Sequence, residues 1–447
     1  MRITGVDVIL MDESHPDNTG WSPVVCRVYT DEGLYGDGEA AIAYSIGSKA
    51  AWSMVQEMGN RVLGMDPLEN EVVWHNLYRT TFWAQNGGPI VWAGISAIDI
   101  ALWDIKGNHF GVPVSTLLGG KMRSSLRCYA SQLQFGWGTK KEPAATIEGY
   151  ARNARAAVDE GYDAVKVDFF DFSPEGRFFT IEERTRLQPP QRLALVEERL
   201  AAVREAVGPD VDIIMENHAN IDAQVAVQFG SLAQKYGVCM FEEPASPNPK
   251  ITQFVSERVS VPIAHGERIY SRWGYAPYFE NGSIQMIQPD LGNCGGITEG
   301  KKICDMASTY DVGVQAHVCG SPCPRRQPCS SRQPSPTSPS TSTTCTRATT
   351  TTGACAFATT SPKTGASTCP TCPAWETSLQ STAGVRARLR ACARRFPTRP
   401  PPLPKACRRP RLPGGTWPGS RPGPPWPPSA LRCAAGRPRG SGRVSSS

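Results

Sequence analysis

The chain reads as an α/β protein of the (β/α)8-barrel type, with an α+β segment before the barrel and a tail after it that no fold accounts for. Three observations predict this. Between residues 126 and 320 short apolar strands alternate with single helices, polar residues stand at the C-terminal ends of those strands, and 447 residues suffice for one barrel with an attached cap.

Residues 1–125 supply the cap. RITGVDVIL and VVCRVYT alternate apolar and polar positions like strands, and the turn Asp31-Glu32-Gly33 follows them. Three helical stretches come next, KAAWSMVQEMGNRVLG, LENEVVWHNLYR and VWAGISAIDIALWDIKGNHFG; in the last, Ile95, Ile98, Leu102 and Ile105 share one face. From 126 to 320 seven strands are expected: LRCYASQ, AVKVDFF, DIIMENHA, CMFEEP, PIAHGER, MIQPD and VGVQAHV. Helices such as IDAQVAVQFGSLAQKYG and ITEGKKICDMASTYD join them, which implies a parallel sheet. The long connection DFFDFSPEGRFFTIEERTRLQPPQR is expected to form an extra loop near the mouth of the barrel.

The net charge of +6 averages two unlike parts. Residues 1–320 carry 27 basic against 40 acidic side chains, net −13, whereas residues 321–447 carry 20 against one, Glu376, net +19. The second part holds 23 of the 39 prolines and nine of the 15 cysteines, and no Asp, Asn, Ile, Tyr, His or Met. It has too little to bury to offset an ordering cost of about 1–2 kcal/mol per residue, so residues 321–447 are expected to be disordered. Their composition is what a GC-rich gene gives when read out of frame, and the break falls in or just after HVCGSPCPRRQ.

Three features of this tail invite other readings. Its arginines would meet nucleic-acid phosphates, but no aromatic stacking pattern accompanies them, and no nucleic-acid partner is expected. Cys369-Pro-Thr-Cys372 has metal-site spacing without a second pair, and Pro401 to Lys405 is a polyproline match of a kind that proline-rich text produces freely. No apolar run approaches the roughly 18 residues of a membrane span, and the first residues lack the pattern of a signal peptide. The six cysteines before residue 321 show no paired spacing, which points to the reducing cytoplasm.

The chemistry sits at the strand ends. Glu216, Glu242 and Glu267 finish three consecutive strands at spacings of one βα repeat, so three carboxylates are expected to converge. One such Glu would pair with a neighbouring Arg or Lys. Three uncompensated ones repel, and a hard divalent cation, best Mg2+, resolves the repulsion. Asp290 and His317 end the next two strands, where a carboxylate fixes the imidazole tautomer and makes a general base. His218 lies two residues beyond Glu216, on the same face if the strand continues, and is a candidate acid. Metal, base and acid together suggest proton abstraction next to a carboxylate.

SAIDIALWDIKGNHFGVPVSTLLGG, FEEP, GER, QPD and AHVCG resemble the mandelate racemase and muconate-lactonising branch of the enolase superfamily, over residues 1 to about 320. Within it, GGITEGKKICDMA and His218 are similar to the acid-sugar dehydratases of the galactonate, galactarate and mannonate type. The resemblance implies Glu216, Glu242 and Glu267 as Mg2+ ligands and Asp290-His317 as the base dyad. It also implies His218 as the proton donor to a departing hydroxyl, an enediolate intermediate and a 2-keto-3-deoxy sugar acid as product. A Lys or His base with Mg2+ is the established pattern of that superfamily. Lys166 would hold the substrate carboxylate, with Asp168 beside it. HPDNTGW and TFWAQNGG resemble the family's site-covering loops, so Trp21, Trp83 and Asn86 would read sugar hydroxyls. A homo-oligomer fits the family.

Departures accompany the likeness. Glu216 stands where the branch commonly has Asp, and Lys166-Val167-Asp168 replaces the racemases' Lys-x-Lys, which disfavours a two-base racemisation. An epimerase or cycloisomerase is the alternative enzyme, and a non-catalytic truncated product the alternative to any enzyme. The tail takes the place of the family's eighth strand, its helix and the C-terminal segment that completes the cap. Two open sheet edges and poor solubility or activity are therefore expected.

Overall fold

In the computed structural model the described residues are 1–11, 22–123, 125–137 and 144–319, together with the backbone of 354–357. The HPDNTGW segment with Trp21 and the tail features around Cys369 and Pro401 lie outside them, as does the expected disorder of the tail.

The cap opens with an antiparallel sheet of β1 (Ile3–Leu10), β2 (Val24–Thr30) and β3 (Tyr35–Ala40), ordered β1-β2-β3. In β2 buried and half-buried positions alternate along the strand, as a sheet with one covered face requires. The cover is helical: α1 (Ser48–Val62), α2 (Asn70–Thr80), α3 (Pro89–Phe110) and the short α4 (Val114–Leu117). The face foreseen in α3 is buried, with Ile95, Ile98 and Ile105 fully enclosed and Leu102 almost so, but from Val91 to Asp99 the helix is buried on every side. Gly111 ends α3 in the left-handed conformation, as a helix-terminal glycine does.

The second sheet holds all seven expected strands: β4 (Arg127–Ala130), β5 (Ala164–Asp168), β6 (Asp212–Glu216), β7 (Met240–Glu242), β8 (Ile263–His265), β9 (Met286–Ile287) and β10 (Gly313–Val314). They run parallel in sequence order from β4 to β10. Between them come α5 (Ile147–Asp159), α6 (Ile181–Thr185), α7 (Pro190–Val207), α8 (Ala223–Lys235), α9 (Pro249–Ser256), α10 (Ser271–Glu280) and α11 (Gly296–Thr309). Among the described residues the sheet keeps two edges, as expected: β11 (Ala354–Phe357) pairs antiparallel with β4 and is itself the strand at one end, and β10 is the strand at the other.

Strand alternation divides the sheet's side chains between two layers. Val165, Val167, Ile213, Met215, Phe241, Ile263 and Ile287 pack outward against the helices, while Tyr129, Ala164, Ile214, Met240 and Ala264 form a separate inner cluster. Two residues further along β5, β6 and β7 the inner positions become Lys166, Glu216 and Glu242. The polar layer therefore sits directly on an apolar floor, at the C-terminal end where parallel barrels place their chemistry.

The cap docks on the loop between β9 and α11. Trp74 Nε1 donates to the Gly295 carbonyl at 2.8 Å, Gly295 N–H to Ser96 Oγ at 2.9 Å, and Thr298 N–H and Oγ1–H to the buried Asp99 at 2.9 and 2.5 Å. Gly296 has φ of +84°, and a Cβ there would lie 2.3 Å from Asp99 Oδ2, so no other residue fits this junction.

Candidate active site

The register brings three predicted side chains into one row. Asp168 of β5 lies opposite Glu216 of β6, and Glu216 opposite Glu242 of β7. Lys166 Nζ reaches across this row, 2.9 Å from Glu216 Oε1 and 2.5 Å from Glu242 Oε1, with all three side chains almost fully buried. It also stands 5.4 Å above the ring of Tyr129 in the floor. Glu267 follows Gly266, which packs so closely on Gln288 that a Cβ would lie 2.2 Å from its backbone.

His218 is close to Glu216, but not for the reason foreseen. Strand pairing ends at Glu216, and His218 and Ala219 both adopt positive φ, 51° and 57°, in the turn beyond it. That turn, rather than continued alternation, sets Nε2 of His218 3.1 Å from Glu216 Oε1 and Nδ1 3.6 Å from Asp168 Oδ2. Across the sheet, His317 Nδ1 lies 2.8 Å from Asp290 Oδ2, and its Nε2 3.0 Å from Glu267 Oε2. Asp290 is itself fixed by the Gly292 N–H at 2.8 Å and the Cys319 N–H at 3.3 Å.

The three glutamates are not uncompensated. Lys166 engages Glu216 and Glu242, while Arg268 and His317 engage Glu267. Burial works against the charge of Glu216 and of Glu267, but neighbouring cations outweigh it: His218 and Lys166 hold Glu216 below the usual carboxylate range, and His317 and Arg268 hold Glu267 well below it. For Glu242 burial wins, and with Glu216 alongside it is pushed up to about 7 despite Lys166. Burial opposes a charge on either imidazole, yet Glu216, Asp168 and Glu267 raise His218 to about 10, and Glu267 and Asp290 raise His317 well above the ordinary value.

A divalent cation nevertheless has donors here. Oε2 of Glu216 and Oε2 of Glu242 are both buried without a hydrogen-bond partner, on adjacent strands in register. Two buried carboxylate oxygens left without a partner fit an oxygen-seeking ion such as Mg2+, whereas both oxygens of Glu267 are engaged, by Arg268 and His317. Trp83 and Asn86 lie on the exposed turn between α2 and α3, and among the described residues neither hydrogen-bonds a strand-end side chain.

Sequence reasoning missed Asp171 and, although Glu243 stands beside Glu242 among the polar strand-end residues, gave it no role. Asp171, in the long β5–α7 connection, folds back to the row; it is 5% exposed, and the group of acidic and imidazole donors within 4.8 Å of one another is Asp168, Asp171 and His218. Its spacing of three from Asp168 in DFFD was the available signal. Glu243 has φ of +48° and turns behind the row, where its oxygens meet His265 Nδ1 at 3.2 Å and Arg268 at 2.5 Å. Arg268 thereby links Glu243 to Glu267.

Residues 149–330 match the family described as enolase C-terminal domain-like, and residues 18–119 the mandelate racemase / muconate lactonizing enzyme N-terminal domain. D-gluconate dehydratase of Thermoproteus tenax is 34% identical over 320 residues, covering 70% of this chain and 60% of the relative. D-galactonate dehydratase of Variovorax paradoxus (strain S110) is 32% identical over 296 residues, covering 65% of this chain and 70% of the relative. Among solved structures, a member of the enolase superfamily from Salmonella Typhimurium is 48% identical with a TM-score of 0.69, covering 72% of this chain and 81% of the other. The chain thus spans 60% of the length of the T. tenax relative and 70% of the V. paradoxus one. Strand-end chemistry, fold and these likenesses agree: the chain belongs to the mandelate racemase and muconate-lactonizing family of the enolase superfamily.

Proposed function

We propose that the chain is a Mg2+-dependent sugar-acid dehydratase of the reducing cytoplasm, acting as a homo-oligomer on a small sugar acid rather than on nucleic acid or membrane. The observation that carries this reading is the pair of imidazoles flanking the glutamate row, each held by a carboxylate: His317 by Asp290 at 2.8 Å, His218 by Glu216 at 3.1 Å. Two dehydratases among the relatives, of D-gluconate and D-galactonate, support the substrate class.

Glu216, Glu242 and Glu267 would hold the ion, which supplies positive charge to the substrate carboxylate as negative charge grows on it. Lys166, reaching the same layer, orients that carboxylate, with Asp168 alongside. With Nδ1–H committed to Asp290, His317 takes the proton from C2 on Nε2. The electron pair then expels the C3 hydroxyl, which leaves as water with a proton from His218, and the enol left behind becomes a 2-keto-3-deoxy acid. Trp83 and Asn86 would read hydroxyls only if their exposed turn folds over the site.

A panel of sugar acids screened for 2-keto-3-deoxy product with and without Mg2+ tests this. One or a few acids should be turned over only with the ion. His317→Asn should lower turnover by about 10²–10⁴-fold, the usual share of a general base, and stop exchange of the C2 hydrogen with solvent deuterium while Mg2+ binding persists. Product formed without loss of water would instead make the chain an epimerase or cycloisomerase.

A further inference from the structure

Asp168 Oδ2 is the least explained atom near the row. Its side chain is fully buried, Oδ1 accepts the Phe170 N–H at 2.8 Å, and Oδ2 has no hydrogen-bond partner. It faces His218 Nδ1 at 3.6 Å, too far for a hydrogen bond. Asp171 completes the group within 4.8 Å and leaves one oxygen to Arg184 Nη1 at 3.3 Å. Arg184 and His218 offset only part of the repulsion between two buried carboxylates so close together, and a cation seated among them would relieve the rest.

The donor spacing suits one kind of ion. A separation of 3.6 Å between two donors is the edge of a tetrahedron whose centre is about 2.2 Å from each, the upper limit of a zinc–oxygen bond and about 0.1 Å longer than a zinc–nitrogen bond. The set is two carboxylates and one imidazole. Mg2+ prefers an all-oxygen shell such as the glutamate row offers, whereas an imidazole draws Zn2+ and similar borderline ions. We propose a second cation site, formed by Asp168, Asp171 and His218, that takes Zn2+ rather than Mg2+.

Occupancy has a consequence for turnover that rests on the reading of His218 as proton donor: with zinc on Nδ1 the ring cannot become an imidazolium, and the N–H left on Nε2 is too weak an acid to protonate a departing hydroxyl, so Zn2+ inhibits while Mg2+ activates. The binding itself does not depend on that reading.

The test is calorimetric titration of the full-length chain with Zn2+ in saturating Mg2+. One Zn2+ per chain should bind, and Asp171→Asn should weaken it at least about tenfold without changing the Mg2+ isotherm. Should Asp171→Asn fail to fold, His218→Gln carries the same expectation for Zn2+. Zinc binding that excess Mg2+ abolishes, or that neither variant weakens, or that does not occur, overturns the site. If zinc binds as expected yet leaves turnover unchanged, the site stands and the role of His218 falls.

Discussion

Lys166 is the residue on which the electrostatics of the site turn. Its ammonium is the internal counter-charge of Glu216 and Glu242, and all three are buried. Removing one member of such a group leaves buried charge without compensation, which costs about 3–5 kcal/mol. Lys166→Met should therefore lower the melting temperature in the absence of metal. Mg2+ at the same carboxylates restores the balance, so it should raise the variant's melting temperature by more than the wild type's. An equal rise in both, measured by thermal melts across a Mg2+ series, would mean that lysine and metal do not share these oxygens. His317 shows the complementary arrangement, with Nε2 on Glu267 and Nδ1 on Asp290. A cation at Glu267 would relieve Nε2 of that contact and leave it to take a proton.

At the scale of elements, the junction between α3 and the start of α11 holds the loop that carries Asp290, and it depends on Asp99. Burial raises the Asp99 carboxyl to about 7, against the hydrogen bonds from Thr298 that would lower it. A folded-state value above the unfolded one, about 3.9, means that the folded protein holds the proton more tightly. The contribution is complete below about pH 4, declines as pH rises toward 7, and is absent above it. At 1.36 kcal/mol per unit it amounts to roughly 4 kcal/mol. Wild type should thus lose stability between about pH 4 and 7 relative to Asp99→Asn, whose amide does not titrate; denaturant melts showing a pH-independent difference between the two would refute this. The junction also marks what could be read from sequence. The seven parallel strands and the buried face of α3 were legible because period-2 and period-3.6 patterns survive in short windows. Asp171 and Glu243 were not, since each is aimed by an irregular backbone: the long β5–α7 connection for the first and positive φ for the second. His218 was placed correctly on a wrong premise, because strand alternation and the observed turn bring its ring to the same carboxylate.

For the whole molecule, the decisive feature is a parallel sheet that does not close on itself. Among the described residues the order runs from β10 to β4 and ends on the antiparallel β11, so β10 and β4 never meet as parallel neighbours. β10 has only two paired residues, yet His317 stands three positions beyond it, so this imidazole is carried at the end of the sheet whose outer side is unpartnered among the described residues. Edges of this kind recruit other chains. A chain re-read in the frame that restores an even composition after Cys319 should supply a strand for β10 and cover its flank. Closure worth several kcal/mol, at roughly 2–4 °C per kcal/mol, predicts a rise in melting temperature on the order of 10 °C or more. Soluble yield should rise with it, and dehydratase turnover should increase because His317 gains a fixed support, while Mg2+ affinity, set by Glu216 and Glu242 in the middle of the sheet, should change little. Equal melting temperature, yield and turnover in the two chains would show that the sheet as it stands is already sufficient, and that the basic tail carries no structural penalty.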